Sequence, residues 1–217
     1  LVPALVKAGL NPTSVEFMDN GFVRAASDYA EQRLPHYEDG SYVIVTVETF
    51  NEDELDMKME QLDEICTACG ATDVVKADER SCLEGSKALS KVSTSDDLVV
   101  PIDKIAVCLN HLMEVSKQFD FECMCLAHAG DGNLHFNCLK MDMTDEEWEK
   151  QLAEFHKICY AYVYSLGGRL SGEHGIGAKK IDALAAYCDP VEMSIMKTIK
   201  RAMDPNNILN PGKLIRA

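Results

Sequence analysis

Apolar and polar positions along this chain switch between strand and helix spacing. Residues 42–50, YVIVTVETF, are β-branched and aromatic, the composition of a strand, and the strand reading runs from Ser41 to Phe50. Behind it Leu55, Met59, Leu62, Cys66 and Cys69 recur every three or four positions and Gly70 follows as a stop, so Asn51 to Cys69 predicts one amphipathic helix with an acidic first turn. Thr72 to Lys76 reads as a second strand. A helix over Ile102 to Phe119 places Ile105, Cys108, Leu112, Val115 and Phe119 on one face, and strands over Glu122–Ala127 and Asn133–Leu139 come next. Thr144 with Glu147 forms a capping box that opens a helix burying Trp148, Leu152, Phe155, Cys159, Tyr162 and Leu166, stopped by Gly167-Gly168. Asp189-Pro190 puts an N-cap before a proline at the first helical position, and that helix runs through Ala202 to Asp204-Pro205.

Residues 1–20 and the polar, Ser-rich 78–101 read as connections, and the closing NNILNPGKLI as irregular. The order β-α-β, then α-β-β-α-β, predicts an α+β domain. Its expected form is a ferredoxin-like antiparallel sheet with helices packed on one face, in an arrangement that admits two such halves.

Composition narrows the function. With 217 residues, 47% hydrophobic and 26% charged, the chain is an ordinary globular one that can bury a core without staples. Its net charge of -15 is the wrong sign for neutralising phosphates, which argues against nucleic acid and anionic membrane as partners. The longest apolar stretch, Ile158 to Leu166, is far short of the ~20 residues a transmembrane helix needs, and no signal-peptide pattern opens the chain. The chain begins on Leu1 in mid-pattern, so the expectation is part of a longer, unexported protein. Nine scattered cysteines, several on the apolar faces of helices, suit a reducing cytoplasm. Cys66 and Cys69 have redox or zinc spacing, but they lie within a helix and read as small core residues.

Three of the six histidines fall in two glycine-rich segments, AHAGDGNLH at 127–135 and SGEHGIG at 171–177. His36, His111 and His156 read as surface or helix-flank residues. Asp131-Gly132 is a two-residue hairpin signal, and as the turn it would set His128 directly opposite His135, with Cβ atoms about 4.5–5.5 Å apart. Asn137 would share that face. One hairpin could then offer two imidazoles and an amide to a single ion, the alternative being two histidines stacked in an ordinary hairpin. Glu173, bracketed by Gly172, Gly175 and Gly177, can reach the surface of another element. Two His and one Glu are a common catalytic zinc set that would also accept iron(II) or manganese. His174 is expected to diverge from its neighbour Glu173 and to serve as a base. The alternative there is a turn with a solvated Glu-His pair.

At AHAGDGNLHFN (127–137), SGEHGIGAKK (171–180) and DPNNILNPGK (204–213), and more loosely at VEFMDN and LVVP, the chain resembles the C-terminal part of FAD-linked oxidases of the vanillyl-alcohol-oxidase type. The branch is that of D-lactate dehydrogenase, glycolate oxidase and D-2-hydroxyglutarate dehydrogenase. The resemblance implies a ferredoxin-like fold, with residues 1–40 a connecting segment and lead-in helix. Residues 41–217 would form a cap and substrate domain whose tail, 204–217, returns to a separate FAD-binding domain. It implies His128, His135 and Glu173 as ligands of a divalent metal, His174 as the catalytic base, Asn137 as a substrate contact and Asn210 as lying toward the flavin. Where relatives carry a substrate-gripping arginine this chain has CLEGSK at 82–87, and Lys87 or Arg80 would substitute. The activity so implied is oxidation of a 2-hydroxy acid by hydride transfer to FAD, with an electron-transfer protein as a further partner and the fragment inactive alone. A free-standing His/His/Glu metal hydrolase and a non-catalytic metal-binding module of an electron-transfer complex are the rivals.

Overall fold

The structure, a computed structural model, describes residues 1–29, 31, 33–49, 51–75 and 92–215. In chain order these form α1 (Val2–Lys7), β1 (Ser14–Met18), α2 (Asn20–Tyr29), β2 (Tyr42–Thr46) and α3 (Glu52–Ala68). After the undescribed stretch come β3 (Ser93–Val99), a 3-10 turn at Ile102–Lys104, α4 (Ile105–Ser116), β4 (Glu122–His128), β5 (Asn133–Leu139), α5 (Asp145–Ser165), α6 (Ile181–Tyr187) and α7 (Pro190–Met203). The five strands make one antiparallel sheet in the order β2-β1-β4-β5-β3, which is the α+β class that the sequence pattern predicts.

Local signals set most of the ends. Asn51 accepts from the amide of Glu54 to start α3, Thr144 and Glu147 close the capping box of α5, and Asp189 caps α7 ahead of Pro190. Two strands lie where connections were expected. β1 occupies residues 14–18 and β3 the Ser- and Asp-rich 93–99, because pairing with β4 and β5 satisfies backbone groups that their side-chain pattern alone does not promise to bury. The expected strand at Thr72–Lys76 is absent over 72–75, which pair with no neighbour in the sheet; Lys76 lies outside the described residues.

One face of the sheet carries the main core. Cys125, Ala127, Leu134, Phe136 and Cys138 pack against α4 and α5, where Phe136 stacks on Phe155 and Phe121 and Trp148 meet edge to face. Leu5 of α1 and Leu62 of α3 continue this layer over Val15. On the other face α2 lays Phe22 and Val23 over Met18, Met124 and Leu139, with Leu34, Tyr42 and Leu126 packed at the edge. The two-residue period of the strands puts Glu16, His128, Asn133, His135 and Asp97 on that same face, where Asn133, His135 and Asp97 are themselves buried. No helix among the described residues is long and apolar enough to cross a membrane.

Candidate functional site

The histidine hairpin differs from the expected two-residue turn. His128 pairs with Asn133 and Leu126 with His135, so residues 129–132 form a four-residue loop and the register slips by two. Neighbouring strands cause the slip. Gly130 donates its amide to Val15 O on β1 at 3.1 Å, and Gly132 accepts from Val100 N at 3.0 Å, so neither closes the hairpin. Gly132 has φ +86°, and a Cβ there would stand 2.1 Å from Val100 O, so only glycine fits. A slip of two keeps every side chain on its expected face. His128 and His135 therefore remain neighbours, diagonal rather than opposed, with ring centroids 5.0 Å apart and planes at 88°.

Asp97 brings in the second segment from β3. Its Oδ2 accepts from Ser171 Oγ at 2.7 Å, Glu173 N at 3.0 Å and His174 N at 2.7 Å, while its carbonyl accepts from Gly172 N at 3.2 Å. Gly172 lies on the Asn133 amide so closely that a Cβ would come within 2.6 Å of Oδ1. Clamped in this way, the Glu173 carboxylate reaches the hairpin: its Oε1 is 3.2 Å from His135 Nε2, 3.5 Å from His128 Nε2 and 3.7 Å from His174 Nε2. Glu173 and His174 do not diverge. The His174 ring stacks on His135 at 5.0 Å, so position alone leaves it available as base or as a third nitrogen ligand.

The electrostatics follow from these contacts. Burial pushes the His135 imidazole below its ordinary pKa, and the neighbouring His128 and His174 push it further down. Burial also opposes charge on His128, but the Glu16 carboxylate on its Nδ1, helped by Glu173 and Asp131, outweighs it and the pKa rises. Asp97 is held below the usual carboxylate range, because its bonds from Ser171, His174 and Glu173 outweigh burial.

These residues fit a divalent cation. An ion bonded at ~2.1 Å in tetrahedral geometry sets its ligand atoms about 3.4 Å apart, the spacing found around Glu173 Oε1. Asp97, His135, Glu173 and His174 also offer ligand atoms within 4.8 Å of one another. Asp97 Oδ1, His135 Nδ1 and Asn133 Oδ1 are buried on this face without hydrogen-bond partners among the described residues. A cleft of about 200 Å³ adjoins the cluster, lined by Ser95, Asp97, His174 and the segment 175–180.

The other expected site residues are distributed differently. Asn137 shares the face, but its amide donates to His135 O at 2.9 Å. Asn210 is exposed in the tail, where Asp204 accepts from the amides of Ile208 and Leu209, and it makes no hydrogen bond to the cluster among the described residues. Lys87 and Arg80 lie outside the described residues. His156 is not a bare helix-flank residue, because its Nε2 lies 2.8 Å from the buried Asp96, which Tyr160 OH also reaches at 2.7 Å. Sequence reasoning missed Glu16, Asp97 and Asn133. Their signals were an acidic residue inside the apolar VEFM and an Asp pair inside the run that ends in LVV.

The family described as FAD linked oxidases, C-terminal domain, matches residues 1–214. The chain is 36% identical over 229 residues to the D-lactate dehydrogenase of Anaerostipes hadrus, a match that covers 98% of this chain and 48% of that protein. It is 30% identical over 224 residues to glycolate oxidase subunit GlcD of Bacillus subtilis, covering 98% and 47%. It thus spans about half the length of the relatives it matches. Among solved structures, p-cresol methylhydroxylase with substrate bound shares the fold with a TM-score of 0.59 at 17% identity, over 98% of this chain and 49% of that one.

Proposed function

The chain belongs to the C-terminal domains of FAD-linked oxidases, and from that premise we propose that it is the cap and substrate half of a flavin-dependent 2-hydroxy acid dehydrogenase. The observation that carries this reading is the convergence of three imidazole Nε2 atoms on one Glu173 oxygen at 3.2–3.7 Å, on the sheet face opposite the main core and beside a cleft. A divalent ion held by His128, His135 and Glu173 would supply Lewis acidity at the substrate's carboxylate and hydroxyl, and FAD would supply the hydride acceptor.

This chain's own residues then hold the substrate and move its proton. His174 lines the cleft and accepts the hydroxyl proton at an imidazole nitrogen. Asp97 keeps His174 and Glu173 in register by binding both of their amides. Asn137 contacts the substrate, and Asn210 lies toward the flavin. Val191, Ile195, Ile199 and Met203 form an exposed apolar stripe along α7, continued by Ile208 and Leu209, which a flavin-binding half would cover. A reducing cytoplasm suits the eight free cysteines described.

The test joins this chain to a flavin-binding half and follows dye reduction by D-lactate, glycolate and D-2-hydroxyglutarate. Reduction that is lost on chelation and restored by Zn²⁺ or Mn²⁺ supports the reading. Reduction indifferent to chelation removes the metal from it, and ester or amide hydrolysis by this chain alone replaces it.

A further inference from the structure

His128 is one of the three histidines of the cluster, and both of its ring nitrogens are spoken for. Nε2 faces Glu173, while Nδ1 lies 2.6 Å from Glu16 Oε2. Glu16 comes from β1, the strand beyond the hairpin, and the ladder sets it directly opposite His128. On an antiparallel pair, opposed residues share a face and stand closest across the sheet, so this contact is built into the register rather than made by two mobile side chains. Glu16 is itself half-buried, and its own opposite neighbour on β2 is Ile44, which offers no competing polar group.

A neutral imidazole carries one N–H. Its carboxylate neighbour takes that N–H on Nδ1, which leaves the Nε2 lone pair facing Glu173. We propose that Glu16 is a positioning residue that holds His128 in its Nδ1–H tautomer, with Nε2 aimed at the ion shared with His135 and Glu173. The inference rests on the metal reading above and extends it outward by one residue. β1 thus contributes to the site without touching the ion, which gives a strand that had read as a connection a chemical role.

The experiment compares the wild-type protein with Glu16→Ala and Glu16→Gln. Zn²⁺ affinity is measured by competition with a chromophoric chelator, and the His128 tautomer by ¹⁵N NMR of the metal-free protein at alkaline pH. Glu16→Ala should lose about 10–100-fold in affinity and shift His128 toward the Nε2–H form. Glu16→Gln retains an acceptor oxygen, so the tautomer should persist and the affinity loss should be smaller. Wild-type protein that binds Zn²⁺, with Glu16→Ala binding it equally well and His128 unchanged in tautomer, overturns the role of Glu16 and leaves the metal reading standing. Wild-type protein that binds no Zn²⁺ overturns the metal reading and this inference with it.

Discussion

Replacing Asp97 should release the Glu173–His174 segment without unfolding the sheet. Asp97 is 1% exposed, and its Oδ2 accepts three hydrogen bonds at 2.7–3.0 Å. Bonds to a charged acceptor contribute about 1.5–3 kcal/mol each, against about 0.5–1.5 for neutral pairs. Asp97→Asn keeps one oxygen as the acceptor, gives up the charge and puts an NH2 in place of the buried Oδ1. That loses about 1 kcal/mol per bond, partly offset by no longer burying a carboxylate, so the net cost is about 1–2 kcal/mol. Asp97→Ala instead strands two amides and a hydroxyl. At about 1–3 kcal/mol for each group left unsatisfied, with water reaching some of them, the cost is about 3–5 kcal/mol. At about 2–4 °C per kcal/mol for a chain of this size, Tm should fall by a few degrees in the first variant and by about 10 °C in the second. Amide hydrogen exchange locates the effect: Glu173 and His174 N–H should lose protection in Asp97→Ala and largely keep it in Asp97→Asn. Amides as protected in Asp97→Ala as in the wild type, with Tm within a degree, would refute the claim that this carboxylate holds the loop.

Asp19 caps α2 and accepts from Phe22 N at 2.9 Å and Cys125 N at 2.6 Å, yet burial raises its pKa from 3.8 to about 6. Because the folded state binds this proton more tightly, the stability it contributes is full below about pH 4 and is lost as pH rises to about 6. The loss is on the order of 3 kcal/mol, and urea unfolding of Asp19→Asn should show a correspondingly shallower fall across that window; identical slopes would contradict it. Glu173→Gln should weaken Zn²⁺ binding in a direct titration. His174→Ala should keep the ion and slow turnover by about 10²–10⁴-fold when joined to a flavin-binding half, and the reverse pattern exchanges the two roles. Gly132→Ala places a Cβ 2.1 Å from Val100 O at φ +86°, so the hairpin loop must move and chemical denaturation should show a loss of about 2–4 kcal/mol, whereas a loss below 0.5 would mean that the loop adapts.

Much of the site was legible before any coordinates. The period of a strand assigns His128, His135 and Asn137 to one face whatever the register, provided that a slip is even, and this one is two. Helix ends carry their own signals, so Thr144, Asn51 and Asp189 start helices where their side chains accept backbone amides. The glycines around Glu173 announced a segment free to approach another element closely, and Gly172 against Asn133 is such an approach.

Which residues oppose one another, and what lies behind them, could not be read in this way. The hairpin register is decided by Val15 and Val100, whose backbone groups take up those of Gly130 and Gly132, and nothing local to residues 128–135 reveals that. Glu16 and Asp97 look like charges in weak strands, because their worth comes from partners 112 and 77 residues away, His128 and His174. Sequence by itself determined the faces, the helix starts and the residue types able to hold an ion, since those follow from periodicity and from bonds within a few residues. Tertiary structure alone decided the pairing and the carboxylates behind the ligands, since a long-range hydrogen bond exists only once the sheet has brought its two ends together.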